Sequence, residues 1–468
     1  MNKKNNIVYR GYAAFKRRIF PDTKKSIPQS MPDRKKFCIT LLTNRDSDNI
    51  GDQMIEACDI ALIETVMKNL NMSEEEYELK SRSASIVSKY VKAKVRDEAL
   101  LKPARRKIKE CDLIIFGGAP VFNYKYQIFY ERTAVTLELA QEYHKQVIFS
   151  GIGIEDYDET NPKCQRLKKA LNMDCVRQIT TRDGIEELAK YKENENIRIE
   201  KVSDPVVFAK QVFKDYTGTN GKKKKKIGLF VFREKGFVDN HIPFTGEDQA
   251  ELWKKIICIL EEKGYNYELL TSGYMKDEAY LDLLVRNYGL PEKKCVFNMN
   301  YTEKLAQKIS SYDAVISCRL HPGIVAFSMD IPSVSLVWNP KITSFYECIG
   351  YPERAIDVTT ATAEDIVTKM EEAMAQGIEK DSDYLMSIYG TLFEGIKNAV
   401  GVSDKEIQPY DYETLIESLS GFTGTPEEEK EEKLKRKFRR TYNTLNDYQR
   451  KIDNLNEKVK ILEKQTEK

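Results

Sequence analysis

Short apolar runs alternate along most of the chain with segments whose apolar residues recur every three or four positions. The runs are rich in β-branched residues, and several of them pass directly into Gly, Pro or Asp. This alternation is typical of βαβ units, so it predicts parallel sheets whose strands end in loops at a shared edge. The predicted strands fall in residues 37–43, 111–120, 145–155, 176–184, 227–234, 267–273, 295–299, 313–317 and 332–338.

One break divides this pattern. Residues 215–226 contain Gly, Asn, Thr and a run of lysines, which favours a linker over a packed element. We therefore predict an N-terminal α/β domain at residues 37–214, a linker at 215–226 and a C-terminal α/β domain at 227–420. Two successive Rossmann-like domains imply a cleft between them, and open α/β folds bind ligands beyond the carboxyl ends of their strands.

The pattern changes again near the C-terminus, where we predict a helix at residues 426–465. Its apolar positions are spaced alternately by four and three, which is typical of a coiled-coil seam and favours a homo-oligomer. The alternative is a single amphipathic helix that docks on the domain or on a membrane. The seam consists of Leu434, Phe438, Thr441, Leu445, Tyr448, Ile452, Leu455, Val459 and Leu462.

Charge is balanced overall and uneven locally. The formal net charge is +2, which gives no global field for nucleic acid. Residues 1–36, however, hold eleven Lys or Arg and two Asp, a local net charge of +9. Because residues 6–20 mix aromatic and basic side chains, this arm is suited to an anionic membrane surface. The alternative is a solubilising tail.

The remaining composition indicates a cytoplasmic protein, at most peripheral to the inner face of a membrane. The nine cysteines are scattered and show no metal-ligand spacing, as expected in a reducing compartment. No apolar stretch is long enough to span a membrane, and the basic N-terminus lacks the apolar region of a signal peptide.

The loop after the first predicted strand is unusually polar. Asp46, Asp48 and Asn49 crowd this strand end, and Gly51 and Asp52 open the following helix. Backbone N–H groups at such a helix start bind anions or substrate hydroxyls. The loop matches neither the dinucleotide fingerprint nor the P-loop. The simpler alternative is that Asn49 and Asp52 only cap the helix.

Other strand ends carry glycine and arginine. Gly117 and Gly118 allow the backbone to approach a ligand closely, and residues 150–155 repeat this feature. Arg182 and Arg233 end strands in the first and second domain, where a guanidinium can bind a carboxylate or phosphate. For Arg182 an interdomain salt bridge is an equal alternative.

One of only three histidines follows the strand at residues 313–317. Arg319, Leu320 and His321 form the turn into a short apolar helix, so His321 is expected to face the cleft, where it can exchange a proton near neutral pH. Lys341 follows the next strand and adds a cation. An isolated histidine is more often structural, but this position favours a functional role.

These segments resemble the polysaccharide pyruvyltransferase family over roughly residues 37–357. The shared features are NIGD at residues 49–52, the glycine pair, GIG at 151–153, RD at 182–183, DP at 204–205 and the SxRLH turn. The most specific part comprises Ser317, Arg319, Leu320, His321, Lys341 and Phe345. This chain departs from the family at Ala119, where the family often has a third glycine.

The resemblance implies a GT-B-like fold and transfer of pyruvate from phosphoenolpyruvate to two hydroxyls of a sugar in a surface or capsular polysaccharide precursor. The product is a cyclic ketal, phosphate is released, and neither cofactor nor metal is needed. His321 is the expected acid, with Arg319 beside it. The expected phosphoenolpyruvate site contains Arg182, Arg233, Leu320, Lys341, Gly117 and Gly118, and the expected acceptor site contains Asp46, Asp48, Asn49 and Asp52.

Two other functions stay open. A nucleotide-sugar glycosyltransferase shares this fold and also places cations near a diphosphate, so the donor that binds distinguishes it. The second alternative function is a non-catalytic scaffold of a polysaccharide synthesis complex. The presence of Arg319, His321 and Lys341 argues against this function. The acceptor is a glycan, either lipid-linked or free.

Overall fold

A computed structural model describes residues 36–118, 120–125, 127–218, 225–403 and 406–466. Residues Phe37–Lys468 form one compact unit. The predicted basic arm, apart from Lys36, and residues 219–224 of the predicted linker lie outside the described residues, so both remain predictions.

The first half of the described chain forms a parallel six-stranded sheet with the order β2-β1-β3-β4-β5-β6. Its central strands are buried on both faces, which explains their nearly continuous apolar sequences. The strands are β1 (Phe37–Thr43), β2 (Tyr77–Ser83), β3 (Leu113–Gly117), β4 (Gln146–Ile152), β5 (Val176–Thr181) and β6 (Arg198–Lys201).

A second parallel six-stranded sheet follows with the order β12-β11-β10-β7-β8-β9. The two sheets confirm the predicted α/β class. The strands are β7 (Lys226–Phe230), β8 (Asn266–Leu270), β9 (Cys295–Val296), β10 (Ala314–Ser317), β11 (Ser333–Leu336) and β12 (Ala355–Ile356).

Helices connect the strands and cover both sheets. They are α1 (Ile50–Asn69), α2 (Ser88–Lys92), α3 (Lys102–Lys109), α4 (Phe129–Glu142), α5 (Pro162–Leu171), α6 (Ile185–Tyr191), α7 (Ala209–Val212), α8 (Gly246–Glu262), α9 (Met275–Tyr288), α10 (Thr302–Ile309), α11 (Leu320–Ser328), α12 (Pro340–Cys348), α13 (Ala363–Gln376), α14 (Ser382–Val400), α15 (Tyr412–Ser418) and α16 (Glu427–Thr466). Within the described part of the chain, no helix is long and apolar enough to cross a membrane.

Helix α14 returns from the second sheet to the first. Gln178 Nε2 on β5 donates to the Thr391 carbonyl at 3.0 Å, and Asn69 Nδ2 on α1 donates to the Tyr389 hydroxyl at 2.7 Å. An apolar helix face shows that a helix is packed but does not identify the sheet it covers. The predicted domain boundaries at residues 214 and 420 stay predictions. The packing of α14 against the first sheet was not predicted from the sequence.

The predicted C-terminal helix is present, and its two parts differ. The first part lies on the body: Arg440 Nη1 is 2.6 Å from Asp48 Oδ1 of the first domain, and Lys437 Nζ is 2.6 Å from Glu278 Oε2 of the second. Thr441 Oγ1 lies 3.0 Å from Met275 Sδ. From residue 445 to 463 every side chain is exposed. Thr441 of the predicted seam therefore contacts the body, although Phe438 before it is 56% exposed, and every member of the apolar stripe from residue 445 onward is exposed.

Candidate active site

The carboxyl ends of the two sheets meet at a cavity of about 570 Å³. The domains touch directly beside it, because the backbone N–H of Ile50 donates to the Ser272 carbonyl at 2.8 Å. Eight residues predicted for the site line this cavity together, and they come from both domains. They are Asn49, Asp52, Arg182, Arg233, Arg319, Leu320, His321 and Lys341.

His321 lies in the first turn of α11 and is 8% exposed. Its ring packs on the backbone of Gly51, where an added methyl group would lie 2.8 Å from His321 Cβ and closer still to the ring. Only a glycine at the start of α1 permits this approach. The NIGD and RLH segments, far apart in sequence, therefore meet across the two domains.

The His321 ring is held uncharged in the free protein. Its Nε2 has no hydrogen-bond partner in the described part of the chain and lies 3.9 Å from Asp204 Oδ2. Burial lowers the pKa of His321 to about 4, the Asp204 carboxylate opposes this shift, and the nearby cations Arg182, Arg319 and Lys341 reinforce it. The ring is thus uncharged at neutral pH in the free protein, whereas the acid role expected for His321 requires the imidazolium.

Arg182 directly follows β5 and forms an ion pair with the buried carboxylate of Asp204. Burial lowers the pKa of Arg182, but Asp204 and Asp183 outweigh burial and raise it. Because Asp204 belongs to the same predicted domain, the alternative of an interdomain salt bridge is wrong. The Arg182 Nε atom is buried and has no partner among the described residues.

Lys341 reaches the same wall of the cavity. Its Nζ lies 3.4 Å from Asp183 Oδ2, which also accepts a hydrogen bond from the Ile154 backbone at 2.8 Å. A methyl group on Gly153 would lie 2.9 Å from Lys341 Nζ, so the second glycine of GIG makes room for this cation.

Arg319 is held by a buried carboxylate and by aromatic rings. Its Nε and Nη2 donate to both carboxylate oxygens of buried Asp277 at 2.8 and 2.7 Å. The guanidinium carbon also lies 4.5 Å from the Phe232 ring centroid and 5.8 Å from that of Trp338. A fork held by a carboxylate and aromatic rings is preorganised to bind a ligand. Arg233 is attached to the same carboxylate through its backbone N–H.

Acidic and amide groups also line the cavity. Asp52 Oδ2 accepts a hydrogen bond from Asn44 Nδ2 at 2.8 Å, and burial raises the pKa of Asp52. Glu155 Oε1 accepts from Asn123 Nδ2 at 2.8 Å, and burial raises the pKa of Glu155 although Lys341 lies nearby. Carboxyl groups with raised pKa values are suited to accept a proton from a hydroxyl.

Two predicted acceptor residues lie elsewhere. Asp48 and Asp46 pair with Arg440 and Arg436 of α16, outside the residues that line the cleft cavity. These two carboxylates at the strand end therefore bind the C-terminal helix. The nearby Asn49 does line the cavity, and its Oδ1 also accepts from the Gly51 backbone at 3.3 Å, as the capping alternative expected.

Gly117 and Gly118 also differ from their expected place, because both pack against α1. A methyl group on Gly117 would meet the buried Asp59 carboxylate, and one on Gly118 would meet Ile55. The glycine pair therefore allows close helix packing on the sheet, and neither residue lines the cavity.

Glu155, Asn123 and Asp277 are among the residues of this site that sequence reasoning missed. Glu155 and Asn123 follow strands and line the cavity, so their position at a strand end was a usable signal. Asp277, which holds Arg319, lies in the first turn of α9. An acidic residue in a first helical turn is common, and its partner becomes visible only in the folded chain. In the described part of the chain, no group of three His, Cys, Asp or Glu is arranged to hold a metal ion.

Fold and cavity together define a two-domain α/β protein whose cleft is lined by several arginine and lysine side chains. The sequence profile of the polysaccharide pyruvyl transferase family matches residues 14–340. The chain belongs to this family, whose members transfer pyruvyl groups to polysaccharides.

One curated relative is similar to part of the chain. The chain is 22% identical over 174 residues to the amylovoran biosynthesis protein AmsJ of Erwinia amylovora, a match that covers 34% of this chain and 42% of AmsJ. The match thus spans less than half the length of that relative.

The fold is similar to that of a putative UDP-N-acetylglucosamine 2-epimerase from Listeria monocytogenes. The identity is 11%, the TM-score is 0.51, and the match covers 81% of this chain and 99% of the other. This likeness confirms the predicted GT-B-like fold and shows the fold alone. The UDP-GlcNAc 2-epimerase of Methanocaldococcus jannaschii matches at 12% identity with a TM-score of 0.47, over 79% of this chain and 99% of that one.

Proposed function

We propose that this protein transfers pyruvate from phosphoenolpyruvate to two hydroxyls of a sugar in a surface or capsular polysaccharide precursor. The product is a cyclic ketal, and phosphate is released. One observation carries the proposal: a buried histidine without a hydrogen-bond partner at Nε2, among the described residues, is surrounded by Arg182, Arg319 and Lys341 in one cleft.

The donor fits this environment because it carries a phosphate and a carboxylate on a small carbon frame. Arg319 offers a preorganised fork, and Arg182 and Lys341 supply further positive charge. Backbone N–H groups at the start of α11 add donors on the same side. Each cation already has a carboxylate neighbour, which fixes its position before the donor arrives.

The first chemical step is protonation of the methylene carbon, which turns the central carbon into an oxocarbenium-like electrophile. We assign His321 as the acid. Burial and then the nearby cations lower the pKa of His321 in the free protein, and a bound donor with several negative charges counters the cations and raises this pKa. The ring therefore becomes an acid only when phosphoenolpyruvate occupies the cleft.

The remaining steps return the protons. One sugar hydroxyl adds to the central carbon, the carbon–oxygen bond to phosphate breaks, and the second hydroxyl adds to close the ketal. Of the two hydroxyl protons, one restores the acid and the other leaves with phosphate. Glu155 and Asp52 are suited to accept these protons because burial raises the pKa of each carboxyl group.

Phosphate release from phosphoenolpyruvate tests the proposal, measured with lipid-linked and free oligosaccharide acceptors. We expect acceptor-dependent release that falls by about a hundredfold or more in His321→Ala. The matched control is His144→Asn, since His144 is exposed and adopts a left-handed backbone that Asn tolerates. Absence of release with every acceptor, together with transfer from a nucleotide sugar, would identify a glycosyltransferase. Absence of any turnover would identify a scaffold.

A further inference from the structure

The projecting part of α16 carries an apolar stripe. Six side chains at alternating spacings of three and four are between 49% and 60% exposed. They are Leu445, Tyr448, Ile452, Leu455, Val459 and Leu462. A narrow stripe of this period is typical of a helix that packs on another helix, and a helix face this apolar is costly in water.

The residue types in the stripe indicate two strands. With the stripe written in heptads, Leu445, Ile452 and Val459 occupy position a, while Leu455 and Leu462 occupy position d. β-branched residues at a combined with leucine at d favour a parallel dimer over higher orders. Leu445 at a, which is not β-branched, and Tyr448 at d depart from this rule.

The charges beside the stripe indicate the orientation. In a parallel pair Lys458 at position g faces Glu463 of the second copy at position e, and Lys451 faces Asn456. In an antiparallel pair the two g positions face each other, so Lys451 lies opposite Lys458. Opposite charges in the first arrangement and like charges in the second favour the parallel dimer.

The docked part of α16 sets where this pairing begins. Arg440 and Lys437 hold the helix to both domains, and residue 444 is the last partly buried one up to residue 463, where the description of side chains ends. We infer that residues 445–462 form a parallel two-stranded coiled coil with a second copy of this chain. The two copies are then joined to each other through this coiled coil. The inference does not depend on the reaction in the cleft.

The mass of the full chain in solution tests this inference. We expect wild type to sediment at twice 54.2 kDa and Ile452→Lys/Leu455→Lys to sediment at 54.2 kDa. The matched control is Asn446→Lys/Asn454→Lys, which adds the same charge outside the stripe and should remain a dimer. A monomeric wild type, a trimer, or a double variant that stays dimeric would each overturn the inference.

Orientation needs a second readout. Tyr448→Cys places a thiol opposite its own copy in a parallel dimer but opposite Val459 in an antiparallel one. We expect oxidation to cross-link this variant and not wild type, whose nine cysteines serve as the background. Failure to cross-link would overturn the parallel arrangement. A monomeric wild type that floats with anionic vesicles, and loses this in Ile452→Lys/Leu455→Lys, would instead assign the stripe to a lipid surface.

Discussion

Gly51→Ala tests the contact that joins the two domains at the candidate active site. Gly51 is the second residue of α1, and the His321 ring of the opposite domain lies on its backbone. A methyl group here would lie 2.8 Å from His321 Cβ and would overlap the ring, so either the ring or the helix start must move. Both responses disturb the position of the expected acid.

Two opposing terms set the size of the effect. Replacing glycine by alanine in a helix stabilises it by about 0.5–1 kcal/mol, and this is an upper bound so near the helix start. Overpacking a buried site costs about 1–3 kcal/mol. We therefore expect a net destabilisation of roughly 1–2 kcal/mol, and a loss of about tenfold to a hundredfold in kcat/KM because the ring is displaced.

Gly390→Ala is the matched control. Gly390 lies inside α14, and a methyl group there meets no atom within 4 Å. The control should be more stable than wild type by about 0.5–1 kcal/mol and fully active. Denaturant unfolding and phosphate release are measured for both variants. If Gly51→Ala behaves like Gly390→Ala in both assays, the packing of His321 on α1 is refuted.

Three further predictions concern the cleft and the contact of α16 with the body. The pKa of His321 is about 4 in the folded protein and 6.5 in the unfolded chain, so the unfolded chain binds a proton first as the pH falls, and this favours unfolding. Between pH 6.5 and pH 4, wild type should therefore lose roughly 3 kcal/mol more unfolding free energy than His321→Asn. Gly153→Ala should displace Lys341 and raise the KM for phosphoenolpyruvate several-fold while leaving unfolding unchanged. Asp48→Asn should weaken the contact with Arg440 by about 1 kcal/mol, seen as faster amide exchange in residues 427–441, and should leave the acceptor KM unchanged.

Controls separate these outcomes. Gly184→Ala is matched to Gly153→Ala, because its methyl group would lie 3.8 Å from the nearest atom, and it should leave the KM unchanged. An equal acid sensitivity of wild type and His321→Asn would contradict the burial of an uncharged ring. A large rise in the acceptor KM for Asp48→Asn, without faster amide exchange in residues 427–441, would show that Asp48 belongs to the acceptor site.

The sequence predicted those parts of the fold that depend on local pattern. The strands at residues 37–43, 145–155 and 313–317 could be read because buried parallel strands are apolar throughout and end in loops. The side of the cleft on which His321 lies followed from the same rule. Packing partners could not be read in this way, and α14 shows why: its apolar face is visible in the sequence, but the sheet it covers is not.

The same distinction explains the errors at the site. Asp46 and Asp48 lie at the predicted strand end, but Arg436 and Arg440, almost four hundred residues later, determine which way they face. Asp277 gave no signal because it lies in a helix and not at a strand end. A strand end indicates which edge of the sheet a residue occupies, whereas the folded chain determines its contacts.

The central claim is tested most directly by measuring both products in one sample. Full-length protein is incubated with phosphoenolpyruvate and glycan acceptors, and released phosphate and the methyl group of the ketal are quantified together by nuclear magnetic resonance. We expect equal amounts of phosphate and ketal, both dependent on the acceptor. Phosphate without ketal would mean that the cleft only hydrolyses the donor, and it would contradict pyruvyl transfer.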